Sequence, residues 1–121
     1  MIFIVDDDGS VRSSLVRLLR SAGFAAEAYS AAEDFLRDAR PDAGSCVIID
    51  VHMPGMNGLE LQQELVRRPD VPRIIMITAY DDPETRRKVL EAGAATFLRK
   101  PFNEAALLNA VAPAVVPHSQ P

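Results

Sequence analysis

Residues 45–50 read SCVIID, a short run of small and β-branched apolar residues that stops on a carboxylate. A strand with one solvated face alternates polar and apolar residues. This run does not alternate, so it predicts a strand covered on both faces, as the central strand of a parallel sheet is. Three other runs have the same design: IFIV at 2–5 stops on Asp6 and Asp7, RIIMI at 73–77 stops on Thr78, and ATFLR at 95–99 stops on Lys100. The ends of parallel strands border one crevice in an open sheet. Residues 6, 7, 50, 78 and 100 are therefore expected to meet there, in a pocket rich in carboxylate and bearing one lysine.

Between these runs lie stretches with helical periodicity. Val11, Leu15, Leu18, Leu19 and Ala22 recur at helical spacing until Gly23. A weaker strand at 24–29 is followed by Ser30 and Glu33, spaced as a capping box, and by Ala32, Phe35, Leu36 and Ala39 on one helical face, closed by Pro41. Leu59, Leu61, Leu65 and Val66 mark a third helix, and Pro69 and Pro72 bracket the turn after it. Asp82 and Pro83 open a polar fourth helix that runs to Gly93, with Val89 and Leu90 expected inward and Arg86, Arg87 and Lys88 expected on a solvated face. Asn103 opens a fifth helix with Leu108, Val111 and Ala112 expected on its buried side, and Pro113 is expected to kink or end it. Five strands alternating with five helices predict an α/β fold: a single doubly wound (βα)5 flavodoxin-like domain with a five-stranded parallel sheet of order 2-1-3-4-5 and helices on both faces. In that order the switch point lies between the first and third strands, beside Asp6, Asp7 and Asp50.

Composition narrows the function. A chain of 121 residues that is 48% hydrophobic is one domain, assigned to residues 1–115, with 116–121 as a Pro-containing tail or the start of a linker. The net charge of −4 argues against the broad basic surface that direct nucleic-acid binding needs. The lone Cys46 has no partner for an internal disulfide and is expected in the core. No apolar run approaches the roughly 20 residues of a membrane span, and no basic region precedes the N-terminal apolar stretch. The expected location is cytoplasmic.

Three carboxylates in one crevice repel one another, and a bound cation or a raised pKa resolves the conflict. A hard divalent ion suits an all-oxygen donor set, and Mg2+ is bound through one or two carboxylates with several waters retained. Asp7, Asp50 and the backbone carbonyl of His52 are candidate protein ligands. With its charge offset, a carboxylate becomes a nucleophile toward phosphorus. Phosphoryl transfer depends on positioning and on stabilising charge on the equatorial oxygens, roles open to the Thr78 hydroxyl and the Lys100 ammonium. Pro101 suggests a rigid loop after Lys100, through a cis peptide bond.

The segments VDDD at 5–8, DVHMPGMNG at 50–58, ITA at 77–79 and KPF at 100–102 resemble, in order and over nearly the whole chain, the receiver domain of two-component response regulators. The combination of VDDDGSVR at 5–12 with FLRKPF at 97–102 is most similar to FixJ-type regulators. The resemblance implies Asp50 as phosphoacceptor, Asp6 and Asp7 as the acidic pair around Mg2+, Thr78 as switch hydroxyl, Lys100 as phosphoryl-binding lysine and Phe97 as switch aromatic. It further implies a sensor histidine kinase as phosphodonor and an output face made by the fourth helix, fifth strand and fifth helix. A DNA-binding output domain and a phosphorylation-dependent homodimer through the fourth helix and fifth strand also belong to that pattern.

Other functions fit less well. A Mg2+-dependent phosphohydrolase using an aspartyl-phosphate would need a second acid two residues after the nucleophile, where His52 stands. A flavodoxin-like cofactor binder would need a phosphate-welcoming loop after the first strand, which here reads DDDGS. An interaction module that works without phosphorylation would not need every chemical position filled. Asp8 is read as a helix cap, and Met53, Met56 and Met76 as packing or loop residues. His52 and Tyr80, two residues after Asp50 and Thr78, are expected to flank the path of attacking water and slow loss of the phosphoryl group.

Overall fold

The computed structural model describes residues 1–80 and 82–112, so the expected helix stop at Pro113 and the tail at 116–121 lie outside the described residues. The elements are β1 (Ile2–Val5), α1 (Gly9–Ser21), β2 (Ala26–Tyr29), α2 (Ala32–Asp38), β3 (Cys46–Asp50), α3 (Gly58–Val66), β4 (Arg73–Thr78), α4 (Pro83–Glu91), β5 (Thr96–Arg99) and α5 (Glu104–Val111). All strand pairings are parallel and the order is β2-β1-β3-β4-β5, as expected from the alternating runs.

The non-alternating strands are buried on both faces because their odd and even residues feed two cores. Phe3, Val5, Val47, Ile49, Ile74 and Met76 pack with Phe35, Leu61, Leu65 and Val89 on the side covered by α2, α3 and α4. Ile2, Ile4, Cys46, Ile48, Ile75 and Ile77 pack with Leu15, Leu19, Leu107 and Val111 on the side covered by α1 and α5. Cys46 is buried and free, and burial pushes its thiol up to about 12, which leaves it an inert core residue.

The helix starts are chemically specified. Asp8 caps α1 by accepting from the Ser10 and Val11 N–H groups, Asp82 caps α4 with Pro83 following it, and Asn103 caps α5 by accepting from Ala106 N at 2.6 Å. The capping box lies at α3, where Asn57 Oδ1 accepts from Glu60 N and Glu60 Oε1 accepts from Asn57 N, both at 2.9 Å. It does not lie at α2. Ala31 is the N-cap there without a side-chain bond, and the Glu33 carboxylate instead accepts from Met56 N at 3.1 Å across the β3–α3 loop. Two helix faces also differ from expectation. Leu90 is 42% exposed and only Val89 of α4 is buried, while α5 buries Leu107, Ala110 and Val111, with Ala112 exposed. Arg87 and Lys88 pair with Glu84 on the solvated face of α4, but Arg86 lies over the Phe97 ring at 5.1 Å.

Candidate functional site

Register brings the polar strand ends together. Val5 pairs with Ile49, Asp50 with Ile77 and Thr78 with Arg99, so Asp6, Asp50, Thr78 and Lys100 stand at one edge of the sheet. Asp6 and Thr78 are fully buried and Asp50 is 5% exposed, whereas Asp7 is exposed at the mouth. The Lys100 ammonium donates to Asp6 Oδ2 at 2.8 Å and lies 3.6 Å from Asp50 Oδ2, linking the ends of β1, β3 and β5 through one cation. The Lys100–Pro101 peptide bond is cis, as expected.

Every polar group of Asp6 has a partner. Its N–H donates to Tyr29 O at 3.1 Å and its Oδ1 accepts from Asp8 N at 2.9 Å. Its Oδ2 accepts from Lys100, and its carbonyl accepts from Arg12 Nη1 at 2.8 Å. Asp50 is held less fully: Oδ1 accepts from His52 N at 3.3 Å and Oδ2 faces Lys100. Burial, reinforced by the Asp6 carboxylate, pushes the Asp50 carboxyl up from the ordinary aspartate range to about 6, and the Lys100 charge offsets only part of this. Desolvation pulls the Lys100 ammonium down, but its hydrogen bond to Asp6 and the charge of Asp50 outweigh it and leave the net shift upward.

Ligand oxygens of Asp6, Asp7 and Asp50 all lie within 4.8 Å of one another. Two acids in this set are buried and one lysine faces them, so negative charge is left over. An all-oxygen donor set with excess negative charge fits a hard cation. The predicted residues divide clearly. Asp6, Asp7, Asp50, Thr78 and Lys100 come together, and His52 contributes its backbone N–H to Asp50 while its ring stays exposed. Phe97 is 8% exposed, packed in the core on the side of α2, α3 and α4. Thr78 Oγ1 accepts from Tyr80 N at 3.1 Å, and the His52 and Tyr80 rings meet edge to face at 5.6 Å. Tyr80 remains 69% exposed and Ala79 is exposed beside it, so the rings stand at the rim.

Three supports of the site lie outside the sequence expectations. Gly58 packs so closely under β3 that a Cβ there would lie 2.3 Å from the Asp50 carbonyl oxygen. Glu33 ties α2 to the loop after Asp50, and Arg12 holds the turn after β1. None of the three has a local spacing signal, unlike the Asn57/Glu60 capping box that starts α3 beside Gly58.

The chain matches the response regulator receiver domain over residues 2–112. The transcriptional regulatory protein FixJ of Azorhizobium caulinodans is 40% identical over 110 residues, covering 91% of this chain and 52% of FixJ. Nodulation protein W of Bradyrhizobium diazoefficiens is 40% identical over 111 residues, covering 92% of this chain and 49% of its own. The structure of the response regulator StyR superimposes with a TM-score of 0.85 at 46% identity, covering 93% of this chain and 57% of StyR. The chain thus spans about half the length of the curated relatives it matches. Carboxylates, threonine and lysine at adjoining strand ends, in a parallel sheet of this order, agree with those matches: the chain belongs to the response regulator receiver family.

Proposed function

We propose that this domain is a phosphorylation-controlled switch in which Asp50 accepts a phosphoryl group from the phosphohistidine of a sensor histidine kinase. The observation that carries this reading is the Lys100 ammonium set between Asp6 and Asp50 at 2.8 and 3.6 Å, beside a 5%-exposed carboxylate with unbalanced negative charge. In the transfer, an Asp50 oxygen attacks phosphorus while the P–N bond to the kinase imidazole breaks and its electron pair returns to that nitrogen. Lys100 leaves Asp50 for an equatorial oxygen of the phosphoryl group while keeping Asp6, and Thr78 turns its hydroxyl from the Tyr80 N–H toward a second oxygen. Asp6, Asp7, Asp50 and the His52 carbonyl would hold Mg2+, which would neutralise the carboxylates and the incoming phosphate.

An apolar groove of about 560 Å³ beside Ala79 and Lys100, lined by Val11, Leu15, Leu18 and Phe102, is where we seat the kinase helix that brings the phosphohistidine. Movement of Thr78 is read out at Phe97 and thus on the α4-β5-α5 face, through a population shift whose size is set by the phosphoryl group's differential contacts. Relatives about twice as long, one of them named a transcriptional regulatory protein, support an output in transcription beyond this domain, which we bound at residues 1–115; we assign that output DNA binding and expect a homodimer through α4 and β5 on phosphorylation. The domain's site of action is then the cytoplasm, as the kinase partner implies; among the described residues no helix is long and apolar enough to cross a membrane.

Intact mass after incubation with Mg2+ and acetyl phosphate tests this reading. The expected result is a single phosphoryl adduct that is hydroxylamine-labile, abolished by chelation and absent from Asp50→Asn. An adduct that persists in Asp50→Asn, or none on folded, Mg2+-bound protein, would overturn it.

A further inference from the structure

Arg12 has no role in the chemistry above, yet it lies in the segment VDDDGSVR and its guanidinium reaches back over the first turn of α1 to the Asp6 carbonyl, 2.8 Å away. The peptide dipole of α1 disfavours a cation there, a cost that the Asp8 cap offsets only in part. The start of a helix carries the positive end of the peptide dipole, where acidic residues are favoured, and the first turn of α1 contains none. A residue that breaks a local rule marks a place where another requirement dominates. Gly9 leaves room for the guanidinium, since a Cβ there would stand 3.3 Å from Arg12 Nη2.

The bond falls where the chain leaves the sheet. Beyond Val5 the ladder ends, and the main chain from Asp6 to Asp8 must turn so that Asp6 faces Lys100 and Asp7 faces the mouth. Asp6 is fixed through its N–H, Oδ1 and Oδ2 by Tyr29, Asp8 and Lys100, and the carbonyl is its fourth and last polar group. That carbonyl belongs to the peptide unit leading into Asp7. Asp7 is exposed, and no bond from its carboxylate to a protein partner fixes it among the bonds described. Its place in the trio is therefore set by the peptide before it.

We propose that Arg12 is a positioning residue for the acidic trio: by fixing the Asp6–Asp7 peptide it sets the Asp7 carboxylate at the distance from Asp6 and Asp50 that divalent-cation binding requires. The inference rests on the cation-assisted reading above and adds to it a residue that touches neither cation nor phosphoryl group. Two physical effects of Arg12 oppose each other. As a charge it repels a cation, so its loss would tighten Mg2+ binding. As a clamp it orders a ligand, so its loss would weaken binding, and partners of this kind typically govern about 10- to 100-fold in metal affinity. The sign of the change separates the two.

The test is a MgCl2 titration of the whole chain, followed by the amide signals of residues 6–8 and 50–52, for wild type, Arg12→Met and Arg12→Lys, with urea midpoints measured alongside. The positioning role predicts a Kd raised about tenfold in Arg12→Met and a partial recovery in Arg12→Lys, whose single ammonium can still reach a carbonyl. It also predicts that acetyl phosphate labels Arg12→Met at the wild-type plateau rate once Mg2+ is raised in proportion, a loss of affinity without a loss of turnover. Unchanged or tighter Mg2+ binding in Arg12→Met, beside a normal wild-type titration, would overturn the positioning role and leave the phosphorylation reading intact. A plateau rate that stays low at saturating Mg2+ would overturn it as well. If wild type itself shows no saturable Mg2+ binding, the cation-assisted reading falls and the inference falls with it.

Discussion

Asp50→Asn removes a negative charge from a nearly dry position, and the cation-free domain should gain stability from the change. Burial and the neighbouring Asp6 raise the Asp50 carboxyl from 3.8 to about 6. At about 1.4 kcal/mol per pH unit, keeping it ionised at neutral pH costs the fold about 3 kcal/mol. The sign follows from proton binding. A carboxyl that holds its proton more tightly when folded contributes fully below its unfolded value, and that contribution is lost as pH rises through its folded value. Wild-type stability therefore falls between about pH 4 and pH 6 by an increment that the variant lacks. That cost is already net of the Lys100 attraction and an Asn oxygen can still accept from His52 N, while solvent screening at the pocket mouth lowers the cost of the charge, so we expect a net gain of about 1–2 kcal/mol. Urea denaturation in chelator, at about pH 7.5 and again near pH 4, measures it. The variant should have the higher midpoint at the upper pH, and the difference should vanish at the lower. Millimolar Mg2+ should then stabilise wild type more than the variant, because binding to the folded state alone adds stability by mass action. A variant less stable than wild type in chelator at neutral pH would refute the reasoning, as would a difference that does not change with pH.

Lys100→Met leaves Asp6 and Asp50 facing each other without their shared cation. It should slow acetyl phosphate labelling at least about tenfold and lower stability by about 2–3 kcal/mol. Labelling at the wild-type rate would remove Lys100 from the mechanism. Gly58→Ala forces a methyl to within 2.3 Å of the Asp50 carbonyl and should cost about 2–4 kcal/mol in urea denaturation, because the neighbour is backbone and cannot swing aside. A change under about 0.5 kcal/mol would mean that α3 slides freely under β3. Replacing both His52 and Tyr80 by Ala removes the ring pair at the rim and should shorten the phosphoryl half-life. An unchanged half-life after removal of the free phosphodonor would show that the rings do not screen water.

The strand ends were legible because each is a local pattern, an apolar run closed by one polar residue, and parallel topology does the rest. The same locality hid what failed. α5 reads EAALLNAV, where two adjacent leucines in an alanine-rich stretch leave the phase of the helix open, and the core took Leu107 while Leu108 stayed partly exposed. In α4, Leu90 looked inward only by type. The sheet beneath α4 offers room for Val89, and the far face is open water. Glu33 sat at capping-box spacing from Ser30, but its carboxylate found the Met56 N–H, 23 residues away in sequence, which no spacing rule reports. Gly58 and Arg12 are the same kind of case. One yields space to a strand and the other reaches back over a turn, and both act through main-chain atoms that side-chain patterns do not encode.

The most direct test of the central claim is to locate the phosphoryl group. After labelling with acetyl phosphate and Mg2+, borohydride reduces an aspartyl-phosphate to homoserine, and peptide sequencing by mass reads its position. The account predicts homoserine at position 50 alone, and none when chelator is present. Homoserine at position 6 or 7, or an unmodified Asp50 in a chain that carries the phosphoryl mass, would contradict it.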